Sequence, residues 1–308
     1  MPTLAFAANK SPLQARIAIT LDLEMSRNFP RWEDTGWDYE KGNLNAETKR
    51  YAVEAASRVK ERGGRVHCFV VGRALEQEDV QWLKDLHAQG HRIGNHTYDH
   101  VNVLARKPED TQFRFLRSPW LVKGRNAEQV ICENIQLCSE AMKTRLGFEP
   151  DGFRTPGGFR DGLVDREDIQ AMLQKLGFRW VSSKYPRHLA GQPGKPASEA
   201  IFDSIVKAQS EAQPFKYSGG LVEIPMSPIS DIGAFRAGRW PLDNFLQAIH
   251  RAVTWAIERG AVFDLLCHPS VMYPSDPDFR TIDLICDLVQ QAGERARLVT
   301  LDELATEL

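Results

Sequence analysis

The segment RIAITLDLE, residues 16–24, is an apolar run that ends in two acidic side chains. Short β-branched and apolar runs of this length are typical of buried strands. Asp22 and Glu24 are two residues apart, so along a strand their carboxylates point to the same face. Adjacent carboxylates repel each other unless a cation lies close to one of them. The segment therefore predicts a strand that leads into a site with one cation ligand and one base. The alternative, an exposed acidic pair, is disfavoured by the apolar run.

Strand-like runs alternate with helical patterns along the rest of the chain. Seven further strand candidates lie at residues 65–71, 91–96, 151–155, 178–183, 221–225, 262–268 and 297–301. Helical patterns lie at about 45–62, 74–89, 126–146, 164–176, 198–212, 241–259 and 277–291. This alternation indicates a parallel sheet covered by helices, either an open doubly wound sheet or a closed barrel. Eight strands favour the (β/α) barrel, and the lack of a GxGxxG turn or P-loop weakens the nucleotide-binding alternative.

Composition makes several functions poor expectations. The 308 residues are 42% apolar and 26% charged, with a formal net charge of −2. No overall positive charge is present to attract nucleic acid or anionic lipid. No apolar run reaches the roughly 18–20 residues of a transmembrane helix. We expect a folded protein without nucleic-acid partners, and the sequence leaves its oligomeric state open, an oligomer included.

The domain organisation and location follow from the ends of the chain and its cysteines. The strand and helix alternation predicts one catalytic domain over residues 16–308, preceded by an N-terminal extension, residues 1–15. Five cysteines without a CxxC pair indicate buried, reduced thiols and favour the cytoplasm. Export is the alternative if MPTLAFAANK, residues 1–10, is the remnant of a trimmed signal.

Polar side chains stand where several other predicted strands end. His96 and His100 follow the third strand, Arg154 the fourth and His268 the seventh. The carboxyl ends of parallel strands meet at one face of a barrel, where active sites lie. The two histidines are four residues apart, which in a helical turn places both imidazoles on one side. Alone, this spacing is more often a pair of solvated histidines. With Glu24 it makes a two-histidine, one-carboxylate set typical of catalytic Zn²⁺ and non-haem Fe²⁺.

Two long segments interrupt the alternation. Residues 25–44 are polar and aromatic, with Trp32, Trp37 and Tyr39, and residues 184–219 are rich in Pro, Gly and Ser. Long loops in a compact domain are usually functional or disordered. The aromatic residues leave two readings of 25–44 open: a loop that covers a site, or one that packs on the barrel rim.

Five short motifs resemble those of a known family. TLDLE, HTYDH, RTPGG, VSS and LLCHP, in this order at successive strand ends, resemble the motifs of the polysaccharide deacetylases, carbohydrate esterase family four with the NodB-homology fold. The likeness extends over about residues 16–301. It implies a distorted (β/α) barrel with seven to eight mostly parallel strands. It also implies a divalent ion, Zn²⁺ or another such as Co²⁺, Ni²⁺ or Fe²⁺.

The resemblance assigns a role to each matched residue. Asp22 would be the general base, and Glu24, His96 and His100 the metal ligands. Arg154 would hold Asp22 ionised, and His268 would be the general acid. Further residues would orient a ligand or contact the substrate: Thr97 through a hydrogen bond to the neighbouring histidine, Gly157 through its backbone N–H to the oxyanion, and the aromatic residues Phe159 and Trp180.

The chain also departs from the family pattern. Asp-Leu-Glu replaces the usual Asp-Asp, and Gly157 replaces an aromatic residue, for which Phe159 could substitute. The acid of the fourth motif, which orients the catalytic histidine, is missing. Asp264, four residues before His268 on the same strand face, is one candidate for that task. Glu223 and Asp231 are weaker candidates for substrate contact.

The resemblance implies a metal-dependent hydrolase that removes an N-acetyl or related acyl group from an amino sugar or polysaccharide. Such a site activates water with the ion, uses Asp22 as base and protonates the leaving amine through His268. One alternative is an amidohydrolase of the same fold that acts on a small cyclic amide or ureide. A third reading is a catalytically decayed sugar-binding protein.

Overall fold

The computed structural model describes residues 14–308, apart from the side chains of Trp37 and Asp38. Residues 1–10 and nearly all of the predicted N-terminal extension, residues 1–15, lie outside the described residues. No helix within the described range is long and apolar enough to cross a membrane.

The described residues form one nine-stranded sheet. Its strands are β1 Ala15–Leu23, β2 His67–Val70, β3 Arg92–Asn95, β4 Phe153–Phe159, β5 Trp180–Lys184, β6 Phe215–Lys216, β7 Val222–Glu223, β8 Val262–Cys267 and β9 Ala296–Leu298. The order is β6-β7-β5-β4-β3-β2-β1-β8, with β9 beside the start of β1. Every pairing is parallel except that of β6 with β7. All eight predicted strands are present, and only the two-residue β6 was not predicted.

Helices cover the sheet. They are α1 Trp37–Glu40, α2 Ala46–Glu61, α3 Gln81–Ala88, α4 Phe113–Arg117, α5 Ala127–Leu146, α6 Glu167–Lys175, α7 Glu199–Ala208, α8 Leu242–Arg259, α9 Pro269–Ser275, α10 Arg280–Ala292 and α11 Leu301–Thr306. The long predicted helices are confirmed, although the pattern at 74–89 divides into a 3₁₀ turn, Gly72–Glu76, and α3. The short α1, α4, α9 and α11 were not predicted.

Helix ends follow local signals in the sequence. The side chain of Asn45 accepts a 2.8 Å hydrogen bond from the backbone N–H of Thr48 and so caps the start of α2. Gly147 and Gly260 end α5 and α8 with φ values of +89° and +60°. Side chains with a Cβ rarely adopt this conformation, which is why glycine stands there.

The sheet curls into a half-barrel, and an irregular segment completes its wall. After β7 the backbone N–H of Ile224 donates to the carbonyl of Val181, and that of Ser227 donates to the carbonyl of Asp264. Ser230 forms an isolated bridge to β8. The predicted mostly parallel, distorted barrel is therefore confirmed. Because the segment leaves regular strand geometry, it delivers residues 230 and 231 to the carboxyl end of β8.

The core lies between the sheet and its helices. The inner face of α8 buries apolar side chains at intervals of three or four residues, the spacing that places them on one helix face: Phe245, Ala248, Ile249, Ala252, Val253 and Ala256. In β1, eight of nine residues are buried. Burial on both faces explains why β1 reads as a continuous apolar run. Rigid packing of this strand fixes the position of the two acidic residues at its end.

Candidate active site

Glu24, His96 and His100 come together at the carboxyl ends of β1 and β3. Oε2 of Glu24 lies 2.8 Å from Nε2 of His100 and 3.7 Å from Nε2 of His96. One candidate ligand atom from each residue lies within 4.8 Å of the others. Glu24 and His96 are buried, and His100 is partly buried. The three side chains thus form the cluster that the sequence predicted.

The donor set fits a divalent ion. Nδ1 of His96 lies 2.9 Å from the carbonyl oxygen of Arg154, to which it donates. Nε2 of His96 is buried without a hydrogen-bond partner among the described residues, and its lone pair faces Glu24. A second-shell carbonyl on one ring nitrogen commonly prepares the other for a metal. Burial lowers the pKa of His96, and it lowers the pKa of His100 to about 4, so both rings are neutral near pH 7. Two neutral imidazoles and one carboxylate suit Zn²⁺ or a similar ion.

The backbone between the two histidines is not helical, contrary to expectation. Thr97 and His100 have φ values of +57° and +59°, which are uncommon for residues with a side chain. The side chain of Asn95 accepts a 2.8 Å hydrogen bond from the N–H of Thr97, and Oγ1 of Thr97 accepts one of 3.0 Å from the N–H of Val101. The expected hydrogen bond from Thr97 to a histidine ring is therefore not formed. Its hydroxyl instead fixes the tight loop that turns both rings toward Glu24.

A fully buried arginine holds Asp22. Nη1 of Arg154 donates to Oδ1 of Asp22 at 3.0 Å, and Nη2 donates to Oδ2 of Asp264 at 2.7 Å. The guanidinium also donates to Oγ1 of Thr20 and lies 4.4 Å from the ring centroid of Phe69. Two carboxylates thus compensate one buried cation. Oδ2 of Asp22 stays on the cavity side, 3.6 Å from Nε2 of His96.

His268 faces the same carboxylates from the end of β8. Its Nε2 lies 3.6 Å from Oε1 of Glu24 and 3.9 Å from Oδ2 of Asp22. Its Nδ1 lies 3.0 Å from Oδ1 of Asp231, and its backbone N–H donates to the same carboxylate. Burial lowers the pKa of His268, but the carboxylates of Asp231, Asp22 and Glu24 together outweigh that effect, with Asp231 contributing most, and the net shift is upward.

Asp231 therefore orients His268, the task for which this chain lacks the acid of the fourth motif. Asp264 was one candidate for this task, and that hypothesis is wrong because its carboxylate is bound to Arg154. Asp231 was considered only as a weak candidate for substrate contact. Its position shortly after the sixth predicted strand, residues 221–225, was the only signal in the sequence. The sequence does not reveal that the chain crosses from β5 to β8, which Ser227 and Ser230 contact. Glu223 does not face the cavity either: it is buried and accepts hydrogen bonds from Ser183.

Backbone forms one wall of the cavity beside these groups. Gly157 and Gly158 line it. Gly157 has a φ of +81°, and its carbonyl accepts a 2.8 Å hydrogen bond from Oγ1 of Thr155, which fixes the orientation of the loop. A Cβ on Gly158 would lie 2.4 Å from Cβ of Tyr185. Glycine at position 158 thus lets Tyr185 pack closely against the wall. The approach to the backbone N–H of Gly157, which we predict to contact the oxyanion, stays open.

The structure does not bring Phe159 and Trp180 to the cavity. Trp180 is the first residue of β5, far from the carboxyl end where the site lies, and it is buried. Its Nε1 donates to Oδ1 of Asp302 at 2.9 Å. Phe159 packs against a separate apolar cluster. The predicted substrate contacts of both are therefore corrected. Tyr185, whose hydroxyl lies 3.1 Å from Oγ of Ser230, is the aromatic residue that packs beside Gly158 in the wall.

The cavity has a volume of about 650 Å³ and is bordered by the long segment 25–44. Trp32 lies in its wall and stacks against the guanidinium of Arg239, with 4.2 Å between guanidinium carbon and ring centroid. Lys41 is buried, forms an ion pair with Glu24 and lies 3.5 Å from Nε2 of His100. The interpretation of this segment as the border of a site is confirmed. No sequence signal distinguished Lys41, since a lysine in a polar loop is usually solvated.

The half-barrel, with Asp, Glu, Arg and His side chains gathered at the carboxyl ends of its strands, has a fold of the deacetylase type. The family model for polysaccharide deacetylase matches residues 34–181, a range that includes His96, His100 and Arg154. The resemblance to polysaccharide deacetylases that the motifs carry is therefore confirmed. No match was found among curated proteins.

Solved structures share the fold at low sequence identity. A protein from Mycobacterium smegmatis, provisionally described as a polysaccharide deacetylase, is 15% identical, with a TM-score of 0.64 over 100% of this chain and 94% of its own. A mutant CE4 family pseudoenzyme from Bacillus anthracis with restored enzymatic activity is 16% identical, with a TM-score of 0.51 over 96% and 69%. An α-amylase from Thermotoga maritima is 9% identical, with a TM-score of 0.56 over 96% and 75%. At these identities the likeness establishes the fold.

Proposed function

We propose that the chain is a metal-dependent amide hydrolase that removes an N-acetyl or related acyl group from an amino sugar or polysaccharide. The observation that carries the proposal is the convergence of Glu24, His96 and His100 on one side of a cavity that also contains Asp22 and His268. The match of residues 34–181 to the polysaccharide deacetylase family model supports the deacetylase class. Because base, acid and ligand set are all retained, the decayed sugar-binding reading is disfavoured.

Glu24, His96 and His100 would hold the ion, and Asp22 would act as the base. A divalent ion in this position would supply Lewis acidity that activates water and polarises the acyl carbonyl. Asp22 keeps one oxygen bonded to Arg154 and the other directed at the cavity. The buried guanidinium fixes the orientation of this carboxylate. Its second carboxylate partner, Asp264, keeps Arg154 in place.

His268 would protonate the leaving amine. An amine leaves poorly unless it is protonated, so an acid is required beside the nitrogen. Asp231 accepts from Nδ1–H of His268, which fixes the ring and leaves Nε2 facing the cavity. The upward pKa shift keeps the imidazolium populated closer to neutral pH. Asp231 thus serves as the positioning residue of the acid.

The wall formed by Gly157, Gly158 and Tyr185 would accommodate the acyl group. Backbone N–H groups that approach a reacting carbonyl stabilise negative charge on its oxygen, and glycine permits that approach. The cavity as a whole, about 650 Å³, is large enough for an acyl group together with a sugar ring.

Acetate release from defined substrates tests this function. We expect acetate from chitin oligomers, peptidoglycan or small N-acetyl sugars, lost on treatment with a chelator and restored by Zn²⁺ or Co²⁺. The variant Asp22→Asn separates loss of the base from loss of the metal. It should keep the ion and lose about two to four orders of magnitude in turnover, as expected for a general base. Full activity of a metal-free protein, or hydrolysis confined to a small cyclic ureide, would overturn the proposal.

A further inference from the structure

A second cation besides Lys41 faces the cavity from a π-helix. The π-helix Ile232–Ala237 begins directly after Asp231, whose side chain caps it and holds His268. Arg236 lies five residues after Asp231 and lines the cavity. A π-helix makes i to i+5 hydrogen bonds, as the N–H of Gly238 does with the carbonyl of Gly233, so residues five apart lie near the same side. The element that positions the candidate acid therefore also directs an arginine into the site.

Among the described residues, the guanidinium of Arg236 has no direct partner. The side chain is half-buried, and within residues 14–308 no carboxylate or carbonyl accepts a hydrogen bond from it. The carboxylates of Asp231 and Glu24 act on it only through space. Arg27, which lines the exposed rim of the cavity, likewise has no hydrogen bond or ion pair among the described residues. Partial burial of an unpaired cation costs free energy, which a bound anion would offset.

The carboxylates around the cavity already have partners of their own. Asp22 and Asp264 share Arg154, Glu24 is paired with Lys41, and Asp231 holds His268. Among the described residues, Arg27 and Arg236 therefore have no carboxylate within ion-pair distance. A bound divalent ion would add further positive charge.

We propose that Arg236, assisted by Arg27, binds an anionic substituent, a carboxylate or phosphate, on the sugar whose N-acyl group lies at the Glu24–His96–His100 centre. The substrate class is then an acidic N-acyl sugar rather than a neutral one. Arginine suits this task because its planar fork binds both anions in a bidentate manner. The inference rests on the proposed function and specifies its substrate.

Ligand binding to the full chain supplied with Zn²⁺ tests the inference. Calorimetry would compare N-acetylglucosamine with two anionic relatives, N-acetylmuramic acid, which carries a carboxylate, and N-acetylglucosamine 6-phosphate. We expect at least one anionic sugar to bind about ten- to a hundredfold more tightly than the neutral sugar, as a charge-assisted hydrogen bond allows. The preferred anion identifies which group and ring position are recognised.

Three substitutions distinguish a specific role of the two arginines from the general effect of removing one positive charge. Arg236→Gln should remove the preference while the affinity for the neutral sugar and the Zn²⁺ content stay unchanged. Arg27→Gln, on the exposed rim, should reduce the preference by a smaller factor and does not disturb the core. Arg251→Gln removes the same charge from α8, where Arg251 pairs with Glu199, and should change nothing. Equal binding of neutral and anionic sugars by the parent protein, or a preference that survives Arg236→Gln, would overturn the inference.

Acetate assays on the same ligands distinguish this inference from the proposed function. If an anionic sugar binds preferentially, and the preference depends on Arg236, but no acetate is released, the proposed hydrolysis is wrong and the anion site is supported. If acetate is released from N-acetylglucosamine at the same kcat/KM as from both anionic sugars, the proposed hydrolase function is supported and the anion site is contradicted.

Discussion

Nδ1 of His268 lies 3.0 Å from Oδ1 of Asp231, a residue 37 positions earlier in the chain. The backbone N–H of His268 donates to the same carboxylate, so Asp231 fixes both the ring and the backbone of the candidate acid. The irregular segment after β7 makes this contact, because a regular strand would not place Asp231 beside the end of β8. Departure from ideal barrel geometry thus positions the carboxylate that contacts His268.

Asp231→Asn should impair the acid without removing the ion. We expect turnover to fall by about two orders of magnitude, with metal content and KM little changed, because general acid catalysis contributes about 10²–10⁴-fold. Removing the carboxylate also lowers the pKa of His268, so the alkaline limb of the pH–rate profile should move to lower pH. Rate measurements from pH 5 to 9 test this. Glu223→Gln, a buried carboxylate bound to Ser183, is the control, and an unchanged pH profile in Asp231→Asn would exclude the positioning role.

His96→Ala should abolish stoichiometric metal binding. The substitution removes the buried Nε2 that has no hydrogen-bond partner among the described residues. Elemental analysis of purified protein should find about one ion per chain in the parent and far less in the variant. His188→Ala is the control, since the ring of His188 bonds only the neighbouring carbonyl of Leu189. Equal metal content in His96→Ala and the parent would disprove the ligand assignment.

Much of the fold and site could be predicted because the signals are local. The end of β1 was predictable because an apolar run stops at Asp22 and Glu24. The helix ends at Gly147 and Gly260 were predictable because a left-handed residue there favours glycine. Arg154 was matched by its motif, and the structure adds its buried partners.

The incorrect predictions concern contacts that the local sequence pattern does not determine. Asp264 and Asp231 both lie near His268 in sequence or space, and only the path of the segment after β7 decides which one bonds to it. The HxxxH spacing suggested a helical turn, whereas the side chains of Asn95 and Thr97 stabilise a tighter loop. Tertiary contacts overrode the local pattern in both places.

Lys41→Met should strengthen metal binding. The ammonium of Lys41 contacts Glu24 and lies 3.5 Å from Nε2 of His100, so it competes with an ion for both ligands. Removing a positive charge this close should raise the affinity for Zn²⁺ by about tenfold or more. Competition titration with a chromophoric chelator measures the change, with Lys184→Met as the control. Metal-free Lys41→Met should also melt at a lower temperature, because Glu24 loses its compensating charge. Weaker Zn²⁺ binding in the variant would show that Lys41 supports the ion instead of competing with it.

Asp302→Asn should stabilise the protein at alkaline pH. Burial, with a smaller contribution from Asp151, raises the pKa of Asp302 to about 6. Between about pH 4 and 6 the folded chain retains a proton that the unfolded chain has lost, so the free energy of unfolding falls as the pH rises through this window. One pKa unit corresponds to about 1.4 kcal/mol, so the carboxylate costs at most about 3 kcal/mol above pH 6. Asparagine keeps an oxygen to accept from Nε1 of Trp180. Urea unfolding should therefore show a larger gain for the variant at pH 8 than at pH 4, whereas the exposed Asp287→Asn should show none. Equal effects of Asp302→Asn at both pH values would mean that Asp302 titrates normally in the folded protein.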